Sequence, residues 1–219
     1  MKIYVDSANT EKIRAVKELG ILSGITTNPV ILSREQGSAL QVVERLCKTF
    51  PGMQVFAQVF ADTAEGMIAQ ARTLAALGSD VVVKIPACRE GICALAALKS
   101  DTSFTNRICA TTILTAAQAV LCAAAGADYV APYIGDVDGV GYCGETVLRD
   151  IVEALRATDT QVLAAAMNRA QEIVDAAKLG VQNITIAPEG ITDVFEKVGP
   201  LSTWYLRLFQ GAAREQERK

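Results

Sequence analysis

Eight short apolar runs, separated by loops and helix-patterned stretches along the chain, predict a (β/α)8 barrel. Three observations carry this reading. The runs number eight in 219 residues, close to the minimum size for such a barrel. Stretches between them repeat apolar residues three and four apart, as on one face of a helix. Val81, Val82 and Val83 form an unbroken apolar run, as in a strand buried on both faces. A doubly wound open sheet is the alternative, but it more often places a glycine-rich phosphate turn after its first strand.

The elements follow in order. The first run, "KIYVD" (2–6), leads into "DSANTEK", where Ser7, Asn9 or Thr10 can cap the next helix. "LSGITTN" (22–28) and "MQVFAQV" (53–59) are the second and third runs, and "TAEGMIAQARTLAAL" (63–77) is helix-patterned. "DVVVKIP" (80–86) and "NRICATT" (106–112) follow, then the helical "TAAQAVLCAAAG" (115–126). "DYVAPYI" (128–134), the helical "GETVLRDIVEALRA" (144–157), "QVLAAAM" (161–167) and "NITIAP" (183–188) complete the set. No linker, low-complexity tract or shift in composition divides the chain, so residues 1–219 are expected to form one domain. Residues 200–219 read as an added C-terminal helix. Its Trp204, Tyr205, Leu208 and Phe209 are too apolar for a solvated appendix. They pack either on their own barrel or on a neighbouring subunit.

Composition narrows the function. The formal net charge is −3 with no basic cluster, which argues against a nucleic-acid partner. No uncharged apolar stretch of ~20 residues suggests a membrane span. The start, "MKIYVDSANT", has no apolar signal core, so a cytoplasmic protein with reduced thiols is expected. The six cysteines lack metal-ligand spacing, and most lie among Ala, Ile and Leu, as small buried side chains do. Histidine is absent. That removes Ser-His-Asp and Cys-His nucleophile activation, histidine-ligated metals and an imidazole acid or base. No metal or cofactor is expected.

In a barrel the reacting groups gather where the strands end. Those ends read Asp6, then Thr26, Thr27 and Asn28, then Gln58, Lys84, Thr111 and Tyr133. If Lys84 points into the barrel, so does Val82, while Val81 and Val83 face the helices. A dry pocket disfavours a charged amine. An amine brought from ~10.4 to ~7–8 is a usable nucleophile. It can attack a ketone, lose water and form an iminium that accepts electrons from a breaking carbon–carbon bond. Asp6, the only carboxylate in this ring, is the candidate proton shuttle. Gln58, Thr111 and Tyr133 can hold one water that takes the proton of the cleaved carbon's hydroxyl. At a lone strand end, by contrast, a lysine usually just turns to solvent.

"GITTNP" (24–29), "TAEGM" (63–67), "VVVKIP" (81–86) and "DYVAPYIGDVD" (128–138) together resemble the transaldolase family, in its small fructose-6-phosphate aldolase-like branch. The likeness runs from "YVDSAN" to the final helix. It implies a Schiff-base lysine at Lys84, proton transfer by Asp6 and contact of donor hydroxyls by Asn28. It also implies a ring of five subunits, often stacked into a homodecamer, with the C-terminal helix on a neighbour. Gln58, Thr111 and Tyr133 resemble the aldolase version of the water site, where transaldolases usually carry glutamate and phenylalanine at positions 58 and 133. The resemblance therefore implies a class I aldolase joining dihydroxyacetone or hydroxyacetone to an aldehyde. Transfer of a dihydroxyacetone unit between sugars is the alternative.

The acceptor end departs from the pattern. A phosphate-binding arginine is expected where Asp136 stands, a serine at Ala166, a lysine or arginine at Asn168, and a serine at Val30. A carboxylate near a phosphate dianion is repulsive. Arg169, beside the start of a predicted helix, is the candidate that compensates.

Overall fold

The computed structural model describes residues 1–167, 169–196 and 200–218. Its order is β1 Lys2–Asp6, α1 Thr10–Lys17, β2 Leu22–Thr26, α2 Pro29–Leu32, α3 Ala39–Thr49, β3 Gln54–Gln58, α4 Ala64–Ala75 and β4 Val81–Pro86. It continues with α5 Arg89–Ser100, β5 Ile108–Ile113, α6 Ala116–Ala124, β6 Tyr129–Pro132, α7 Ile134–Gly139, α8 Gly144–Leu155, β7 Gln161–Met167, α9 Ala170–Lys178, β8 Asn183–Ile186, α10 Pro188–Glu196 and α11 Pro200–Gln216. The eight strands pair in sequence order, all parallel, and β8 closes on β1. This is the (β/α)8 barrel that the eight apolar runs predict, and each run contains its strand or all but its last residue.

Alternation along the strands builds two cores. Val5, Ile25, Val55, Val83, Ile85 and Ile108 belong to the outer core, shared with helix residues such as Val42, Leu95 and Leu148. Inside the barrel, Tyr4, Phe56, Val82, Cys109, Tyr129, Ala131 and Leu163 form a second, closed layer. Its aromatic rings meet edge to face, Tyr4 on Phe56 at 5.2 Å and Phe56 on Tyr129 at 5.3 Å. Beneath them Tyr4 donates to Gln54 Oε1 (2.8 Å), and Arg107 donates to the Tyr129 hydroxyl (2.8 Å).

Local chemistry explains the helix starts. Asn9 accepts from Lys12 N (3.0 Å) and caps α1, while Ser38 and Gln41 form a reciprocal capping box on α3. Gly91, in the first turn of α5, lies so close to the end of β4 that a Cβ there would fall 1.9 Å from Pro86 O.

The expectation for the cysteines changes, and two further segments are now described. Residues 134–143 have no assigned structure in the sequence reading, yet α7 forms there, starting directly after Tyr133. Of the six cysteines only Cys109 and Cys122 are buried, and Cys88, Cys93 and Cys143 are exposed. Cys88 and Cys143 sit at helix starts rather than in helix faces, which apolar sequence neighbours do not reveal. Finally, α11 presents Leu201, Trp204, Tyr205, Leu206, Leu208 and Phe209 to solvent. Among the described residues no helix is long and apolar enough to cross a membrane.

Candidate active site

Two residues beyond the inner layer, five strands carry a polar side chain at or near their C-terminal ends. From Tyr4 this step reaches Asp6; from Phe56, Gln58; from Val82, Lys84; from Cys109, Thr111; from Ala131, Tyr133. Thr26 on β2 and Thr185 on β8 complete the polar rim. The side chains expected to act together thus gather at one end of the barrel, above a sealed apolar layer.

Lys84 is 5% exposed, and its Nζ donates to the backbone oxygen of Thr27 (2.9 Å). Thr27 is itself pinned, since its N–H and hydroxyl both donate to Phe56 O (2.9 and 2.8 Å). Gln58 lies beside Lys84 in the β3–β4 register, and its buried Oε1 meets no donor among the described residues. Such an acceptor costs about 1–3 kcal/mol unless something donates to it.

Asp6 Oδ1 accepts from the Thr26 hydroxyl (2.6 Å), and Thr26 Oγ1 is also 2.6 Å from Thr185 Oγ1. Because Thr26 spends its proton on the carboxylate, Thr185 must donate to Thr26 when Asp6 is ionised. Burial raises the Asp6 carboxyl above its ordinary value; the charge of Lys84 and the Thr26 hydrogen bond pull it back. Thr185 and the Thr27 carbonyl are absent from the strand-end reading. A polar residue at an inward position of "NITIAP" is the signal that could have pointed to Thr185.

The Thr111 hydroxyl, fully buried, lies 3.1 Å from the phenol oxygen of half-buried Tyr133. Asn28 caps α2 through Oδ1, which accepts from Ile31 N (2.9 Å). That leaves its Nδ2 end to face other groups.

The outer rim is more acidic. Asp136 is exposed and lines a largely apolar cleft of about 740 Å³ with Thr112, Tyr133, Val140 and Tyr142. Arg169 caps α9 with its guanidinium engaged, Nε on Glu172 Oε1 (3.0 Å) and Nη2 on Asp138 Oδ2 (2.5 Å). Asp138 also accepts from Gly144 N (2.7 Å), so Arg169 ties α7, α8 and α9 together. This cation is already matched by two carboxylates, which weakens it as a grip for an outside anion. Asn168 lies outside the described residues.

Residues 3–203 match the family model described as "Transaldolase/Fructose-6-phosphate aldolase". A protein of Caulobacter sp. (strain K31) named "Probable transaldolase" is 37% identical over 198 residues, covering 90% of this chain and 89% of that one. A "Probable transaldolase" of Clostridium perfringens is 36% identical over 188 residues, covering 85% and 86%. One of Heliobacterium modesticaldum is 37% identical with the same coverage. The solved structure of a 3-hexulose-6-phosphate synthase superposes with a TM-score of 0.65 at 18% identity, over 85% of this chain and 90% of that one. That likeness is one of fold.

Proposed function

Because the chain belongs to the transaldolase/fructose-6-phosphate aldolase family, we propose that it makes or cleaves a carbon–carbon bond between dihydroxyacetone, or hydroxyacetone, and an aldehyde. It does so through a Schiff base on Lys84. The observation that carries this reading is the buried Lys84 amine, held by the Thr27 carbonyl among the polar groups of the inner rim.

The neutral amine adds to the ketone carbon. Asp6 shuttles protons, taking one from the adduct nitrogen as the carbinolamine forms and giving one to the hydroxyl that departs as water, which leaves the iminium. In cleavage, a water between Gln58, Thr111 and Tyr133 takes the hydroxyl proton of the carbon β to the iminium, the one that leaves as the aldehyde. The carbon–carbon electrons flow into the iminium, giving an enamine and a free aldehyde. Protonation of the enamine carbon and hydrolysis of the regenerated iminium release the ketone and restore Lys84. Asn28 Nδ2 contacts donor hydroxyls in this reading, while Thr26 holds Asp6. Arg169 enters as a strut between helices rather than an anion contact, so the acceptor end favours an aldehyde without phosphate.

Transfer of the dihydroxyacetone unit to a second aldehyde is the other reading, favoured by the names of the relatives. It differs only in whether an aldehyde or a proton captures the enamine. The exposed apolar face of α11 supports assembly into a five-subunit ring or a decamer, with this helix on a neighbour. The same reading puts the enzyme in the cytoplasm.

Incubation with dihydroxyacetone, borohydride reduction and peptide mapping tests the proposal: the mass increase is expected on Lys84, and its absence would falsify the mechanism. Turnover of a ketose with and without added aldehyde then separates cleavage from transfer. A monomer both before and after truncation at residue 200 would sink the assembly.

A further inference from the structure

Among the described residues only Thr112 (φ 57°) and Ala166 (φ 54°) hold a left-handed backbone without being glycine. They occupy matching places on β5 and β7, the two strands that flank β6. At each the pairing slips by one residue. From Ala110↔Val130 the β5–β6 register moves to Ile113↔Pro132, and from Ala164↔Ile184 the β7–β8 register moves to Met167↔Ile186. Each strand therefore carries one extra residue.

A one-residue slip reverses the side that every later residue faces. Ile108 and Ala110 lie in the outer core, and Ile113, an odd number further on, lies there too. Val162 and Ala164 are outer-core residues, and so is Met167. Were Thr112 and Ala166 extended like the rest of their strands, Ile113 and Met167 would continue the alternation into the barrel mouth, on either side of Tyr133.

Tyr133 is fastened at both bulges. Its N–H donates to Ile113 O (3.0 Å), just past the first, and it pairs with Ala165, just before the second. Its phenol meets Thr111, the residue before Thr112. A β-branched side chain at positive φ is strained, and such strain persists where surrounding contacts over-determine it. Here the Thr112 hydroxyl donates to Thr111 O (2.6 Å) and accepts from Ala87 N (3.3 Å), which also donates to Thr111 O (2.8 Å).

We propose that Thr112 and Ala166 are positioning residues, whose left-handed bulges turn Ile113 and Met167 out of the barrel mouth and hold the Tyr133 phenol against Thr111. The proposal rests on the reading of Tyr133 as part of the water site, and it concerns carbon–carbon cleavage rather than iminium formation on β4. It therefore separates two readouts.

The test compares the unaltered protein with Thr112→Val, Thr112→Asn, Thr112→Gly and Ala166→Val. Each is scored by borohydride trapping of dihydroxyacetone on Lys84 and by kcat and KM for ketose cleavage. Thr112→Val and Ala166→Val are expected to trap as the unaltered protein does but to lose about tenfold or more in kcat, with KM within about twofold. Asparagine and glycine adopt the left-handed region more readily, so Thr112→Asn and Thr112→Gly should recover much of that loss. Full kcat in Thr112→Val overturns the proposal. So does loss of trapping in step with kcat, and so do asparagine and glycine variants no better than valine. A crystal structure of Thr112→Val tests the bulge independently of the chemistry. Tyr133 displaced from Thr111 supports the proposal, and an unmoved pair overturns it. If the unaltered protein forms no adduct, the Schiff-base reading fails, and this structural comparison still decides the bulges.

Discussion

The Lys84 amine gives its hydrogen bond to the backbone carbonyl of Thr27, 2.9 Å away. A carbonyl can only accept here, so this bond fixes the direction of the nitrogen. Lys84→Arg leaves a long basic side chain at this place that cannot form an imine. Ketose cleavage, followed by coupled detection of the released aldehyde, should fall by about 10⁴-fold or more.

The Asp6 carboxyl stands above its ordinary value because burial outweighs the help of Lys84 and Thr26. If ionised Asp6 is needed, activity fails on the acid side at a higher pH than an exposed aspartate would give. Thr26→Val removes a hydrogen bond that favours the charged form, so the carboxyl rises further. The acid limb of kcat against pH should move upward in this variant. A limb that moves downward or stays still would count against Asp6 as the titrating group.

Tyr133→Phe takes away the hydroxyl that meets Thr111 at 3.1 Å and one of the groups assigned to hold water. The kcat for cleavage should drop by about 10²-fold, in the range of a lost proton-handling group. Capture of the enamine by added aldehyde should lose less, so the ratio of transfer to free cleavage rises. Product analysis with and without a second aldehyde measures this ratio.

Asp136 lines the cleft that opens beside Tyr133. Asp136→Arg replaces repulsion with attraction for an anion there. KM for a phosphorylated acceptor should fall by about tenfold, while that for an uncharged aldehyde changes little. Equal changes for both acceptors would place this side chain away from the acceptor path.

Gly91→Ala places a methyl group 1.9 Å from Pro86 O, a backbone atom two residues beyond Lys84. The first turn of α5 must move off β4, at a cost of about 2–3 kcal/mol. Denaturant unfolding should show a lower midpoint with an unchanged slope.

Much of this architecture is legible in the sequence because each strand is a short apolar run bounded by polar or turn residues. "DVVVKIP" shows its inner and outer faces by alternation alone, with Val82 in the inner layer and Val83 in the outer core. The bulges are not legible. Glycine announces a left-handed backbone, whereas Thr112 and Ala166 adopt it under constraints from neighbouring strands. Arg169 reads as a free cation until the chain folds, because Asp138 is 31 residues away in sequence. Thr185 is hidden for a similar reason: its partner, Thr26, is 159 residues distant.

The layer of Tyr4, Phe56, Val82, Cys109, Tyr129 and Leu163, almost wholly shut from solvent, makes the barrel a vessel with one opening. On the proposed mechanism, water released when the iminium forms, water taken up when it hydrolyses, and the proton delivered to the enamine all pass the rim assigned to the sugar. An aldehyde still in place obstructs that traffic. That mechanism makes departure of the first product the event that admits the solvent for the second half of the cycle, and isotope from heavy water should enter the ketone only after the aldehyde has gone.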